Sequence, residues 1–302
     1  GWGLNDSGQA MPPDGNNFIA IAAGYNHSLA LKSDGSIVGW GYNTSGQATH
    51  PDGNNFIAIA AGLEYSLALK SDGTIVGWGS NNYGQTSIPP TTNDLVAISA
   101  GYDHSLALKT DGSVVGWVSD NRSGQVTSLP ENNLIAVAAG WYHSLALKSN
   151  GLIVGWGDNA YGQAAPPGGN DYIAIAAGGY HSLALKSDGS IVGWGSNRDW
   201  QGSYFGQATP PDGNNFIAIA AGGYHSLALK SDGSVVAWGR NTYGECNVPL
   251  PNAGFIAISS SGGSYSLGLK SDGSIVGWGY NNYGQATPPV GNNFIAIAAG
   301  GY

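Results

Sequence analysis

"FIAIAAGYNHSLALKSDGSIVGWG", from Phe18 to Gly41, is the stretch that decides how this chain folds. It opens with an apolar, partly β-branched run that stops at Gly24. The remainder, His27 to Gly41, divides into two short apolar runs around Asp34-Gly35. An Asp-Gly pair between such runs is the strongest short-range hairpin signal. The stretch therefore predicts three consecutive short strands, and nothing in it has the 3.6-residue spacing of an amphipathic helix.

The same pattern recurs along all 302 residues. Tryptophans of "GWG"-like triplets stand at Trp2, Trp40, Trp78, Trp117, Trp156, Trp194, Trp238 and Trp278, at spacings of 38, 38, 39, 39, 38, 44 and 40. The Asp-Gly pair returns at Asp72, Asp111, Asp188, Asp232 and Asp272, and Asn150-Gly151 replaces it once. Asparagine suits the same positive-φ turn. A Gly-Gln pair and an "ATPPDGNN"-like segment follow the triplet, and prolines there allow at most an edge strand. Each unit thus predicts three strands and a weak fourth.

The strands read as apolar on both faces, with Ile19, Ile21 and Ala23 alternating with Phe18, Ala20 and Ala22. Such a sheet must be covered on both sides, and radial stacking of blades of about 40 residues does this. An open solenoid would need polar caps, and neither terminus reads as one. The expected fold is all-β: one β-propeller domain over residues 1–302, seven-bladed with eight blades as the alternative, and three to four antiparallel strands per blade. Seven complete hairpins but eight "AIAAG"-type runs are present, the last within Phe294 to Tyr302. The N- and C-terminal segments are therefore expected to meet in one blade and close the ring.

Composition narrows the function. The 50 glycines are more than twice the usual share of about 7% and fit many tight turns. Net charge is −9, and seven of the ten basic residues (Lys32, Lys70, Lys109, Lys148, Lys186, Lys230 and Lys270) occupy one repeated position. They form a spaced ring and not the clustered patch that holds a phosphate backbone. Nucleic acid and anionic membrane surfaces are excluded on that ground. No apolar run is long enough for membrane insertion, and any signal peptide is expected to have been removed or left out. Cys246, the only cysteine, stands where other units carry alanine or threonine.

No reactive constellation stands out. His27, His104, His143, His181 and His225 share one repeated position, filled by Tyr65 and Tyr265 in the other two units. Equivalent positions on successive blades lie on a wide circle, whereas zinc needs ligands at about 2 Å. These histidines are expected to tie the turn after "AAG" to nearby backbone. "KSDGS" lacks the alternating acidic positions and distal Glu of a calcium loop. "GWGYNTSG" (Gly39 to Gly46) lacks dinucleotide-fingerprint spacing. The reading is that the protein is not an enzyme and carries neither cofactor nor metal.

What varies is the loops. After "AAG" come Tyr25-Asn26, Leu63-Glu64, Tyr102-Asp103, Trp141-Tyr142, Tyr180, Tyr224 and Ser264. After "GWG" come Tyr42, Tyr83, Asp120 with Arg122, Asp158 with Tyr161, Arg240 with Tyr243, and Tyr280 with Tyr283. The unit "WGSNRDWQGSYFGQATPP" (Trp194 to Pro211) carries six extra residues, with a second Trp, an Arg and an Asp. Both sets are expected to share one rim. Tyrosines of the repeated "NNYGQ" read as blade packing. Tyr, Trp and Arg carry most interface energy, so the candidate partner-binding residues are those that depart from the repeat: Trp141, Tyr142, Arg122, Arg198, Asp199, Trp200, Tyr204 and Phe205.

The consensus unit, "AIAAGGYHSLALKSDGSIVGWGYNNYGQ", resembles the regulator-of-chromosome-condensation propeller repeat, and the resemblance spans essentially the whole chain. Its compact period is most similar to the secreted bacterial branch that includes the second type of β-lactamase inhibitory protein. There a seven-bladed propeller binds a partner enzyme through loops on one face. The chromatin-bound branch has longer repeats and basic surfaces, from which this acidic chain departs. The resemblance implies a non-catalytic protein-binding module, extracellular or on a bacterial cell surface, using variable loops on one face. A carbohydrate-binding propeller with one site per blade and a symmetric or designed scaffold without ligand are the alternatives. The expected partner is a protein with a basic patch, with a glycan as the other option and the propeller itself monomeric.

Overall fold

Apolar runs and Asp-Gly turns become, in the computed structural model, seven three-stranded antiparallel sheets. Residues 1–14, 17–90, 92–118, 121–127, 129, 132–260 and 262–301 are described; Asp120 and Tyr302 lie outside them. Blade 1 consists of Phe18–Ala23, His27–Lys32 and Ile37–Gly41, in that spatial order. Blades 2 to 6 occupy 56–79, 95–117, 134–157, 172–195 and 216–239. Blade 7 consists of Phe255–Ser260, Tyr265–Lys270 and Ile275–Gly279.

The turns explain why the hairpins form where they do. Asp34 Oδ1 accepts hydrogen bonds from Ser36 N at 2.9 Å and Ser36 Oγ at 2.6 Å. Gly35 takes φ 79°, and a Cβ there would collide with the Asn54 carbonyl of the next connection. Both reasons favour glycine over any other residue. From this turn the middle and third strands pair from Leu31↔Ile37 to His27↔Gly41.

Two expectations change. In every blade the first strand carries a β-bulge after its first residue, as between Phe56 and Ala58. The bulged residue is left unpaired, so Ile57 is 54% exposed beside Phe56 at 2%. The strand is thus not covered on both faces along its whole length. Among the described residues the weak fourth strand does not form either. An asparagine clasp takes its place: Asn43 Oδ1 accepts from Ala48 N at 2.8 Å, and Asn43 Nδ2 donates to Thr49 Oγ1 at 2.8 Å. Asn5, Asn81, Asn121, Asn159, Asn197, Asn241 and Asn281 accept the equivalent backbone bond.

The core lies between blades. Leu29, Leu31 and Ile37 of blade 1 bury against Phe56 and Ala68 of blade 2, with Trp78 packed on them. Five further apolar seams repeat this from blade 2 to blade 7.

Polar ties run beside each seam. Ser66 Oγ of blade 2 donates to the Gln47 carbonyl at 2.8 Å, and Trp78 Nε1 donates to the same oxygen at 2.9 Å. His27 of blade 1 meets that serine, Nε2 to Ser66 Oγ at 2.8 Å. His104, His143, His181 and His225 make the same bond to Ser144, Ser182, Ser226 and Ser266. The histidines therefore bind the next blade and not the nearby backbone of their own turn. Because each serine hydroxyl already donates to a carbonyl, Nε2 must be the protonated nitrogen. Nδ1 of His27, His104, His143 and His181 is buried without a protein partner. Burial lowers His27, His143 and His225 to about 4, and His104 and His181 to about 3.

The terminal segments close the ring with these same bonds. Trp2 Nε1 donates to the Gln285 carbonyl at 2.9 Å, as Trp40 donates to Gln9 at 3.0 Å. Around the axis Tyr102 N donates to Gly140 O, Trp141 N to Gly178 O, and Gly179 N to Gly222 O. Gly301 N completes that circle on Gly24 O at 3.1 Å. Seven full blades are thus joined by an eighth position that the two ends of the chain share.

Candidate functional site

Both variable loop sets reach one face, as their spacing predicts, and there they enclose a bowl of about 490 Å³ over the axis. Its wall comes from the loops after "AAG" (Tyr25, Tyr102, Trp141, Tyr142, Tyr180 and Tyr224) and from those after "GWG" (Trp200, Arg240, Tyr243 and Tyr280). Beneath it a narrow axial opening of about 240 Å³ is lined mostly by alanine and glycine.

Trp141 lies between the two. Positions after "AAG" carry Tyr25, Leu63, Tyr102 and Trp141 on one half of the ring, whereas the other half offers Gly179, Gly223 and Gly262. The indole rests on those glycines. A Cβ on Gly179 would come within 3.1 Å of the indole, one on Gly223 within 3.2 Å and one on Gly262 within 3.4 Å. Tyr180 and Tyr224 stand nearly perpendicular to it, at 79° and 90° with centroids 5.3 and 5.6 Å away. Tyr102 joins at 6.1 Å, and Tyr142 touches Tyr102 at 5.7 Å. The result is a contiguous patch of five rings.

The six-residue insertion braces itself and leans on this patch. Arg198 and Tyr204 form an isolated antiparallel bridge, with the guanidinium 5.7 Å over the Tyr204 ring. Arg198 Nη1 donates to Gly202 O, and Asp199 Oδ1 accepts from Gln201 N and Ser203 N, both at 2.9 Å. Phe205 N donates to Asn197 O at 2.8 Å. Trp200, 71% exposed at the tip, lines the bowl together with Tyr224. The clasp is untouched: Asn197 Oδ1 accepts from Ala208 N at 2.8 Å across eleven residues, where the same bond spans five elsewhere. The extra residues simply loop out.

Of the residues singled out from sequence, Trp141, Tyr142 and Trp200 meet in the bowl. Arg198, Asp199, Tyr204 and Phe205 form the bracing of the insertion, and Arg122 is exposed in the loop that follows blade 3, away from the bowl lining. Sequence reasoning placed Tyr25, Tyr102, Tyr180, Tyr224 and Arg240 on the shared rim but left them out of the contact set, because each looks like one more member of a repeated set. The signal that was available is the run of glycines at 179, 223 and 262. Tyr83, Tyr161, Tyr243 and Tyr283 of the "NNYGQ"-type turns are about half exposed on the loops, which corrects their reading as blade packing.

Electrostatics around the bowl is uneven. Burial, followed by the Asp103 and Glu64 carboxylates, raises the Tyr102 phenol. Burial and the neighbouring Tyr102 push Tyr142 up to about 12, and burial with Tyr180 and Asp199 does the same for Tyr224. Burial, followed by Tyr161 and Asp158, raises the Tyr180 phenol. The phenols are therefore neutral near pH 7 and the surrounding carboxylates supply the charge. Arg240 lies 5.1 Å over Tyr243 and 5.9 Å over Tyr224, and its Nε is 3.7 Å from the buried Glu245. That carboxylate replaces the glutamine found at this position in the other units. Cys246 packs as a small side chain, its Sγ against Arg240 O at 3.2 Å, with burial pushing the thiol up to about 12. Among the described residues no group of three His, Cys, Asp or Glu side chains is arranged to hold a metal ion.

Comparison with known proteins agrees with this architecture. The family model described as the regulator of chromosome condensation (RCC1) repeat matches residues 18–47, 56–85, 95–125, 134–163, 172–201, 216–245 and 255–285. No curated protein matches the chain. Among solved structures, the CRINKLY WD40 ectodomain of the Arabidopsis thaliana receptor kinase ACR4 is 22% identical with a TM-score of 0.67, covering 90% of this chain and 98% of its own. Prp20p of Saccharomyces cerevisiae, described with its binding properties to Gsp1p and histones, is 21% identical with a TM-score of 0.66, covering 93% and 91%. A structure of yeast RCC1 (Prp20) with Kap60 bound is 22% identical with a TM-score of 0.62, covering 80% and 78%.

Proposed function

The chain belongs to the regulator-of-chromosome-condensation repeat family, and from that premise we propose that it is a non-catalytic protein-binding propeller whose contact surface is the bowl around Trp141. The supporting observation is the convergence of two loop sets from many blades on one aromatic patch, mounted on a rigid ring. Residues free to vary have become Tyr, Trp and Arg where they share a face, and these side chains bury large area at modest entropic cost. One yeast protein of the same fold, Prp20, is described with Kap60 bound and with binding properties to Gsp1p and histones, which favours a protein as the partner class here too. The carboxylates of Glu64, Asp103, Asp158 and Asp199 around the rings favour a partner with a basic surface and would speed its capture. The aromatic residues, although drawn from repeated loop positions, converge on one place over the axis, which favours one partner per ring over one sugar per blade.

The test is a binding titration against candidate partner proteins with wild type, Trp141→Ala and Trp200→Ala. A central tryptophan truncation is expected to cost about 2 kcal/mol or more, roughly 30-fold in Kd. A 1:1 complex unaffected by both variants would remove the bowl as the contact surface.

A further inference from the structure

We propose that the bowl over Trp141 is a cation site, and that the group it takes from the partner is an alkylammonium: a lysine side chain, held more tightly when its nitrogen is methylated. This rests on the protein-binding reading above and specifies what that partner presents.

Three observations carry it. The first is ring arrangement. Trp141 is backed by the glycines of the opposite half-ring, and Tyr180 and Tyr224 rise from it at 79° and 90°. A cation entering over the axis meets π-electron density from more than one direction, with the indole as the strongest single partner. The second is charge. Asp103 and Glu64 stand close enough to act on Tyr102, Asp158 on Tyr180 and Asp199 on Tyr224. Among the described residues of the bowl wall the one cation, Arg240, has its charge countered by Glu245. The third is precedent within the chain: Arg240 already stacks on Tyr224 and Tyr243, at the edge of the same patch. The remaining space, about 490 Å³, has room for a side chain and the backbone that carries it.

The alkylammonium is favoured over a guanidinium by shape. Arginine binds best as a plane lying flat on one ring or forked onto a carboxylate. The wall here is made of rings set at steep angles, which suits a rounded N-methyl head touching several of them. A methylated nitrogen also loses less hydration on entering an aromatic site, which is why such sites select it.

The decisive experiment compares three small probes on the intact protein: Nα-acetyl-trimethyllysine methylamide, its neutral isostere with carbon in place of the quaternary nitrogen, and Nα-acetyl-arginine methylamide. Binding is read by tryptophan emission and by NMR shifts of the indole N–H signals, assigned with Trp141→Phe. The quaternary probe is expected to bind about tenfold more tightly than the isostere and more tightly than the arginine probe, with the shift centred on Trp141. Asp103→Asn, which preserves shape, is expected to weaken the cation about threefold and leave the isostere unchanged. Equal binding of cation and isostere, tighter binding of arginine, or no shift at Trp141 would each overturn the proposal. Partner capture that survives loss of cation preference would overturn this inference alone. Cation preference retained while Trp141→Ala and Trp200→Ala leave partner binding intact would overturn the protein-contact reading instead.

Discussion

Lowering the pH from 7 to 4 should unfold this propeller, and the inter-blade histidines are the cause. Five imidazoles, none more than 2% exposed, are held neutral by burial with Nε2–H spent on the next blade's serine. An unfolded histidine titrates near 6.5 and these near 3 to 4. Between those values the unfolded chain binds protons that the folded chain refuses, so stability is full above pH 6.5 and falls as pH drops toward 4. At about 1.4 kcal/mol per pH unit for each group, one imidazole costs about 3 kcal/mol across the window. Five reach on the order of 15 kcal/mol, the upper end of the roughly 5–15 kcal/mol that holds a domain folded. The hairpin aspartates take no part in this window, because Ser and Thr hydrogen bonds hold Asp34, Asp72, Asp111, Asp188, Asp232 and Asp272 below the usual carboxylate range. Asp103 and Glu245, raised by burial, act in the opposite direction and offset part of the loss. The assay is the guanidinium midpoint from tryptophan emission at half-unit pH steps from 7 to 4.5. A steep decline below pH 6.5 is expected, and His143→Tyr should flatten it by about one fifth, since one of five titrating groups is gone. Tyrosine fits this position, because Tyr65 Oη donates to the next blade at His104 O. A midpoint that is level between pH 7 and 5 would refute the reasoning.

Three other outcomes follow from the seams, the glycine half-ring and the clasp. Leu183, fully buried between blades 5 and 6, should cost about 2–5 kcal/mol when changed to alanine, whereas Ile173→Ser at the exposed bulge should stay within about 0.5 kcal/mol by denaturant titration. Gly223→Ala places a methyl 2.8 Å from Gly262 O and 3.2 Å from the Trp141 indole; a destabilisation of about 1–3 kcal/mol with altered tryptophan emission is expected. Deleting Asp199 to Tyr204 restores the short spacing of the other units. Thermal melting should then shift by only a few degrees while binding at the bowl weakens through loss of Trp200.

The sequence made the blades legible because their determinants are local: Asp-Gly turns, β-branched runs and a tryptophan at a fixed place in each unit. What it left unread is whatever links one unit to another. The histidines look like residues of their own turn, and their serine partner lies about 40 residues away on the next blade. Trp141 is conspicuous as a departure from the repeat, but its support comes from glycines of the three units that follow it, brought together only around the axis. The tyrosines of the bowl share the same difficulty, since a repeated residue reads as structural until the loops are seen to converge. The bulge at each first strand is invisible in an alternating pattern, because one unpaired residue turns an inward isoleucine outward without changing the residue type.

The asparagine clasp has a use beyond holding its own turn. It pins the two ends of a connection by a backbone bond, joined at Asn43, Asn81, Asn197 and Asn281 by one to a hydroxyl, and it is indifferent to how much chain lies between them, as the eleven-residue span at Asn197 shows beside the five-residue span at Asn43. Every clasp is therefore a socket of one gauge, set around the same rim. Segments of unrelated length and chemistry can be seated in any of them without renegotiating the blade beneath, so new specificity can be added to this ring one connection at a time while its core goes unaltered.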